Sequence, residues 1–600
     1  MSEFDFIVVG GGPGGCVTAS RLTEDPGCSV ALLEAGPDWR GWLADNTALS
    51  MLKHAPRKPS NNWGFNTLPD PGLNNRSDFH SLGRGLGGGT SFNALVYMRG
   101  HRGDYDEWAA LGNPGWSYAD VLPYFRKLEN NQTFRDEYHG NDGPMWVEDL
   151  RTDNPYHDVV KQACREAGEP IIADFNGATQ VGCGSVQATM KNGERWHTGK
   201  AYIHPYLGTR QNLQLMCDTH CTRVLFEGRR AVGVEVIQGG QRRVLRARRE
   251  VIVCGGGILS AKLLLLSGVG PGAELQAMGI PVVHESPAVG RYLHDHPAVT
   301  LAYHIPGDPN LMGISPTGAL ALLRAIRRWR KERRGMGATN FGELSGYFCL
   351  RPDSPRPEVQ CQFVIGVALD HGRDVYAKHG MSVVAILLRP GSRGSVRLAS
   401  TDPLADPLVD FRYFSHPDDL PTMVAGFKRI AAIMQTPTMS RRIKRDLLTA
   451  HCRTDEDWAE FARNRAGTVY HPVGSCRMGP DPSDAVVDAR LRVHGLQGLR
   501  VIDSSIMPRI LGGNTMAPTI MLAEKGDDML RQDSRGRPDG THARLRPGDQ
   551  PGLPTPGREA PAPLPVRLHR RRRQRRTDAA TQRGGFPVHP CPPARDARRL

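Results

Sequence analysis

Three observations in the 600-residue chain predict an α/β protein with a dinucleotide-binding layer. An apolar run, Phe4 to Val9, leads into Gly10-Gly11-Gly12-Pro13-Gly14-Gly15 and a segment of helical spacing, Cys16 to Leu22. A second apolar run, Val251 to Val253, ends in three glycines (Gly255-Gly256-Gly257) and precedes another helical segment, Leu259 to Leu266. The middle of the chain mixes strand-like and helix-like stretches. The first two features describe a Rossmann-like sheet, and the third an α+β layer over it.

Phe4 to Val9 is a buried strand by its unbroken apolar character. Gly10, Gly12 and Gly15 form G-x-G-x-x-G between strand and helix, and Val30 to Leu33 is the next strand, ending in Glu34. Gly10 allows a tight turn, Gly12 lets backbone approach a pyrophosphate, and Gly15 lets the helix pack against the sheet. The helix start offers free N–H groups and a partial positive charge to the phosphates. Glu34 can accept hydrogen bonds from ribose hydroxyls and would repel a 2′-phosphate, which favours FAD or NAD over NADP.

Gly83 to Asn93 is a second Gly-rich segment, suited to a phosphate or ring contact. Val251 to Val253 returns to the first sheet. Val383 to Leu388 and Ser395 to Leu398 flank Arg389-Pro390-Gly391-Ser392-Arg393-Gly394 and are expected to form a hairpin. Asp418-Asp419 open a helix through Met434. Tyr470-His471-Pro472-Val473-Gly474 puts a histidine before a turn, Leu499 to Ile502 is a strand ending at Asp503, and a helix beginning around Asn514 to Pro518 runs through Met529.

Charge and composition exclude several classes. The formal net charge is +14, but the last 70 residues hold 17 Arg, no Lys and 6 acids, leaving +3 in the first 530. The body is therefore no nucleic-acid-binding surface by charge. Val251 to Gly270 carries Lys262 and five glycines, against a membrane-spanning helix. The N-terminus lacks a basic and apolar leader, and no C-x-x-C occurs among 12 cysteines, which points to the cytoplasm. Leu293-His294-Asp295-His296 has the look of a metal cluster, but no further ligand group lies nearby, so no metal is expected. Arg567 to Arg576 has seven Arg in ten residues, and 12 of 46 prolines fall after Leu530. That segment reads as a disordered tail. The alternatives are an interaction tail for RNA or anionic lipid and translation from a shifted reading frame.

In this order the motifs resemble those of the glucose–methanol–choline (GMC) flavoprotein oxidoreductases, from about Asp5 to Met529. The resemblance is carried by the first fingerprint with Leu33-Glu34-Ala35-Gly36, the Gly83 to Gly100 segment, Ser267-Gly268-Val269-Gly270, the Arg389 to Gly394 segment, His471-Pro472-Val473-Gly474 and Asn514-Thr515-Met516-Ala517-Pro518-Thr519. It implies an FAD-binding domain over 1–155, 213–305 and 465–530, a substrate domain over 156–212 and 306–464, and a tail over 531–600. It implies His471 and Asn514 as the catalytic pair. It places Ser91 and Asn93 against the flavin and pyrophosphate, the Val224 backbone at adenine, Asp503 on the FAD, and Met516-Ala517-Pro518 beside the pyrimidine ring. Some members link flavin to a histidine where this chain has Phe92, so noncovalent FAD is expected. Ala261 replaces a frequent proline.

The resemblance further implies oxidation of a primary alcohol to an aldehyde. A neutral imidazole, with its pKa near ~6.5, can take the hydroxyl proton, and an amide can hold the alcohol oxygen. The pattern is closest to bacterial choline and aliphatic-alcohol dehydrogenases. Glu343 could face a quaternary ammonium or be a surface acid. The electron acceptor is a quinone, another carrier or oxygen; a peroxide-forming oxidase and a flavin-containing lyase are the alternatives. The implied location is cytoplasmic, with peripheral contact at the inner membrane face left open, and the oligomeric state is undetermined.

Overall fold

A computed structural model describes residues 2–54, 61–313, 316–370 and 374–535. Strand β1 (Ser2–Val9), helix α1 (Pro13–Leu22) and strand β2 (Val30–Leu33) form the expected βαβ unit. β1 is fully buried from Phe6 to Val9 because it is paired on both sides. Two seven-stranded sheets organise the rest.

Strand β3 (Gly182–Ser185) belongs to the second sheet, and the first contains β1, β2 and five later strands. These are β4 (Leu213–Met216), β5 (Thr219–Glu227), β6 (Arg230–Gln238) and β7 (Gln241–Val253), with β14 (Leu499–Val501) beside β7. Its order is β4-β2-β1-β7-β6-β5. β4, β2, β1, β7 and β14 run parallel, and β5 and β6 add an antiparallel edge. Val9 pairs with Leu33 and Val253, and Val253 with Val501. Four strands thus end in one register. Gly10, Glu34, Cys254 and Asp503 follow those ends, so one edge collects the motifs of four distant segments, as ligand sites of open parallel sheets do.

The second sheet is antiparallel, with order β12-β8-β11-β10-β9-β3. Its other strands are β8 (Pro297–His304), β9 (Gly342–Phe348), β10 (Val359–Val364), β11 (Gly380–Leu387) and β12 (Arg445–Asp446), and β13 (Gly467–Thr468) pairs with β8. β8 and β13 come from segments expected in the FAD-binding domain. The second layer therefore takes 297–304 and 467–468, because β8 is the strand on which β11, β12 and β13 all pair.

The hairpin expected across Arg389 to Gly394 is not formed. β11 pairs with β8 and β10, while Ser395–Arg397 pairs with Leu408–Asp410. The six residues between them cross from one layer to another. The Asp419 carboxylate, at the start of α3 (Asp419–Met434), accepts from Gly391 N and Ser392 N at 2.7 and 3.0 Å, which fixes the crossing. α2 (Gly256–Leu266) matches its expected place. Lys262 within it donates to the carbonyls of Pro403 and Ala405, both at 2.7 Å, and burial lowers its pKa to about 8.

The last helix, α4 (Met516–Arg535), outruns its expected end. Arg531 bonds Asp527 at 2.7 Å, and Asp533 bonds Arg500 at 2.6 Å and Arg490 at 2.7 Å. Residues 531–535 therefore belong to the folded body rather than to the tail, and 536–600 lie outside the described residues. Among the described residues no helix is long and apolar enough to cross a membrane.

Candidate active site

A cavity of about 420 Å³ lies along the common strand edge and reaches the second sheet. That volume is in the range of cofactor and substrate sites. Gly10, Gly12, Pro13, Gly14 and Glu34 line one end, and His471, Asn514, Gln362 and Ile386 line the other.

The glycine loop fits a pyrophosphate. A Cβ on Gly10 would meet Cys254 O at 2.4 Å, and Gly10 has φ +110°, so only glycine turns here. A Cβ on Gly12 meets nothing within 4 Å, which leaves that backbone open toward the cavity. α1 starts at Pro13 with no side-chain cap on its first N–H groups. Uncapped N–H groups facing a cavity form an anion site. Gly15 does not line the cavity; its Cβ would strike Gly10 O, so its part is close helix–strand packing.

Glu34 accepts from Gly11 N and Gly36 N, each at 2.8 Å. Its carboxylate thus shapes the loop as well as lining the cavity. Burial raises its pKa, and those backbone N–H groups act against that rise. Asp503 accepts from Ser260 Oγ at 2.5 Å, Gly256 N at 2.8 Å and Ser505 N at 2.8 Å. Burial raises its pKa as well. Asn93 and Met516 line the cavity and touch each other, Nδ2 to Sδ at 3.4 Å.

Four of the residues expected at the cofactor are not among those that line the cavity. Val224 does not line the cavity; its N–H donates to Ser267 Oγ at 2.8 Å, while Thr219, His220 and Cys221 from the same strand line the wall. The twist and register shift of β5 at Cys221/Arg223 bring the earlier residues to that edge. Ser91 turns inward, donating to Leu86 O at 2.6 Å, and so holds the second Gly-rich loop together. Ala517 and Pro518 lie in the first turn of α4, where Met516 and Thr519, with the preceding Thr515, are the residues that line the cavity. Helical spacing puts Thr515 and Thr519 on one face.

His471 is held by a segment that sequence reading set aside. Leu293 to His296 runs beside it, with His294 N to Val473 O at 3.0 Å and the return bond at 2.9 Å. Asp295 Oδ1 accepts from His471 N at 2.9 Å, and its other oxygen accepts from Thr468 and Tyr413. Burial outweighs these bonds and raises Asp295 to about 7. Gly474, at φ +87°, lets His294 pass: a Cβ there would lie 2.6 Å from the ring. His294 donates to Tyr292 O at 2.7 Å and accepts from Ile510 N at 2.9 Å. His296 Nδ1 is 3.0 Å from His471 Nδ1, and its Nε2 is 3.0 Å from Leu388 O and 2.9 Å from Leu511 O. With every ring nitrogen engaged, this cluster is a brace and not a metal cage.

His471 Nε2 faces Asn514 Nδ2 at 3.3 Å, and Asn514 Oδ1 is buried without a partner. Burial holds the His471 imidazole well below the ordinary 6.5, and the His296 and His80 rings act in the same direction. The cavity therefore ends in a neutral imidazole and an amide with one acceptor to spare. Such a pair can accept a hydroxyl proton and hold the oxygen that loses it. Glu343 is neither at the surface nor in the cavity wall. It is buried and takes bonds from Thr339 Oγ1 at 2.7 Å, His157 Nε2 at 2.9 Å and Asn154 Nδ2 at 3.1 Å.

The chain matches the GMC oxidoreductase family over residues 4–298 and 390–523, its N- and C-terminal parts. It is 40% identical over 536 residues to an alcohol dehydrogenase (acceptor) of Pseudomonas putida, covering 88% of this chain and 95% of that protein. It is 39% identical over 542 residues to the mitochondrial choline dehydrogenase of Mus musculus, covering 88% and 89%. Among solved structures, pyridoxine 4-oxidase from Mesorbium loti superposes with a TM-score of 0.79 at 27% identity, covering 89% of this chain and all of that one. A glycine cradle and a His–Asn pair thus meet in one cavity of a chain that belongs to the GMC oxidoreductase family.

Proposed function

We propose that this protein is an FAD-dependent dehydrogenase that oxidises an uncharged primary alcohol with an apolar substituent to the aldehyde. FAD, bound without a covalent link, would accept the hydride from the alcohol carbon. Gly12 and the α1 N-terminus would hold its pyrophosphate, Glu34 its ribose, and Asp503 and the start of α4 the flavin half. Phe92 lines the cavity and offers no nitrogen for a covalent bond. His471 takes the hydroxyl proton at Nε2, and Asn514 orients the alcohol oxygen. Electrons then pass to a quinone or another carrier.

The observation that carries the substrate class is the wall beside the pair. Ala94, Leu95, Val96, Ile386 and Val469 line it, with Gln362 and Tyr470 as polar members. Val96 and Ile386 belong to one apolar cluster, against which Ala94 and Val469 pack. Among the described residues the lining carboxylates are Glu34 and Asp503, both bonded to the strand-end loops. A quaternary ammonium would lose its hydration here without a counter-charge, which is costly. An anaerobic screen tests the reading. Linear medium-chain alcohols should bleach the flavin, and choline should do so much more slowly at equal concentration. Faster bleaching by choline overturns the substrate class; no bleaching by any alcohol overturns the activity.

A further inference from the structure

We propose that His296 is a positioning residue that dictates which nitrogen of His471 carries the proton, and so leaves Nε2 bare toward the cavity. The proposal rests on His471 being the base. His296 Nε2 lies 3.0 Å from Leu388 O and 2.9 Å from Leu511 O. Carbonyl oxygens only accept, so this nitrogen carries a hydrogen. A neutral imidazole has one N–H, so His296 Nδ1 is an acceptor. The hydrogen in the 3.0 Å contact between the rings then belongs to His471 Nδ1. His471 is neutral too, and its Nε2 carries no hydrogen, so its lone pair accepts from Asn514 Nδ2 at 3.3 Å. The opposite tautomer of His471 would set two bare Nδ1 lone pairs 3.0 Å apart, whichever way the amide is turned.

The surroundings keep both rings neutral. Burial brings His296 down to about 4, with Arg389 acting in the same sense and Asp104 against it. His471 faces His296 and His80, and the Asp295 carboxylate is occupied by the His471 backbone N–H, Thr468 and Tyr413. When the alcohol O–H bond breaks, its proton forms a bond to His471 Nε2. The imidazolium keeps its Nδ1–H, now a charge-assisted donor to His296 Nδ1, and the two carbonyl dipoles behind His296 polarise that acceptor. His296 thus also spreads the charge that the proton brings. The orientation of a base by a hydrogen bond to its other nitrogen is a general device of imidazole sites.

The test compares His296→Gln with His296→Leu as full-chain holoenzymes. A glutamine can accept from His471 Nδ1–H through its carbonyl and donate to Leu388 O or Leu511 O through its amide. It should stay within a few-fold of wild type in anaerobic flavin reduction per bound FAD. Leucine should lose about tenfold to a hundredfold, by analogy with the loss of the hydrogen-bond partner behind a metal-ligating histidine. Binding of a tertiary alcohol, which cannot be oxidised, gives a second readout through the flavin spectrum. It should weaken in His296→Leu and persist in His296→Gln, since only a bare Nε2 can accept its hydroxyl. Equal rates and equal binding for the two variants, or a leucine variant as fast as wild type, overturn the proposal. If the leucine variant does not retain FAD, His296→Asn replaces it. Its shorter amide cannot span both contacts, and rates equal to those of His296→Gln overturn the proposal as well. Wild type that no alcohol bleaches would instead fail the parent reading, and this is seen before any variant is compared.

Discussion

His471 combines a lowered basicity with a fixed direction. A positioned base contributes about 10²–10⁴-fold, so His471→Ala should slow flavin bleaching by at least ~100-fold while FAD stays bound. The loss should shrink as pH rises, because an alkoxide needs less help. In wild type, the depressed pKa of His471 keeps the base neutral through pH 6.5, so kcat/KM should stay flat from pH 8 to 6. A break near 6.5 would mean that its imidazole is not held down. Asn514→Ala should slow the same step with little change in pH profile, since an amide does not titrate. At the far end of the cavity, Glu34→Gln replaces one of two accepting oxygens with an amide nitrogen facing a loop N–H. Each charge-assisted bond is worth about 1.5–3 kcal/mol, so FAD affinity should fall roughly tenfold to 150-fold. Titration of apoprotein with FAD checks this, and unchanged affinity removes Glu34 from the site.

At the scale of elements, α4 both opens on the cavity and closes the sheet from behind. Its first turn supplies Met516 and Thr519 to the wall, and its last turn supplies Asp533 to Arg500, which is 2% exposed. Arg500 also holds Glu250 at 2.8 Å, so losing Asp533 leaves a buried guanidinium half-paired. A chain ending at Arg535 should keep the melting temperature, FAD content and activity of the full chain. One ending at Leu530 should lose about 1–3 kcal/mol of stability, the cost of stranding a buried polar group. Thermal unfolding of the two truncations separates them, and identical melting would show that the last helical turn adds nothing.

For the whole molecule, buried histidines make stability depend on pH. Burial lowers His101, His220 and His296 to about 4, and His197, His294 and His471 well below 6.5. Below pH 6.5 the unfolded chain protonates all six while the folded chain does not, so acid favours unfolding. Asp295 at about 7 and Asp527 at about 6 oppose this, since the folded chain holds those protons while the unfolded chain ionises. Burial also raises Glu34, Asp70, Glu169, Asp174 and Asp503, which act in the same sense as Asp295, and each proton is worth about 1.36 kcal/mol per pH unit. Removing one histidine isolates its share: His101→Asn, which keeps a capping acceptor, should lose less melting temperature than wild type between pH 6.5 and 5. An equal loss in the two proteins would show that His101 takes up no proton on unfolding.

Local periodicity was enough for the βαβ unit, for the strand ending at Val253 and for α3, because burial of a continuous apolar run depends on neighbours in sequence. The glycine roles were legible for the same reason: a tight turn and a close helix are local demands. The hairpin at Arg389 to Gly394 was misread because strand pairing is decided by which edges are open, and β8 and β10 take both edges of β11. Val224, Ser91, Ala517 and Pro518 were placed by motif position, but a one- or two-residue rotation about a strand or helix turns a side chain from cavity to core, and only packing sets that rotation. The His-Asp-His segment was visible yet unreadable as a brace, since its partners at Leu388, His471 and Leu511 are 92 to 215 residues away. The sequence by itself determined the residue types on which the proposed chemistry rests, a histidine and an amide together with a glycine cradle, while burial in the folded chain is what lowers the histidine's basicity. The direction in which that histidine points its lone pair was decided only by tertiary structure, because the backbone carbonyls of Leu388 and Leu511, brought from distant segments, fix the hydrogen on the ring behind it.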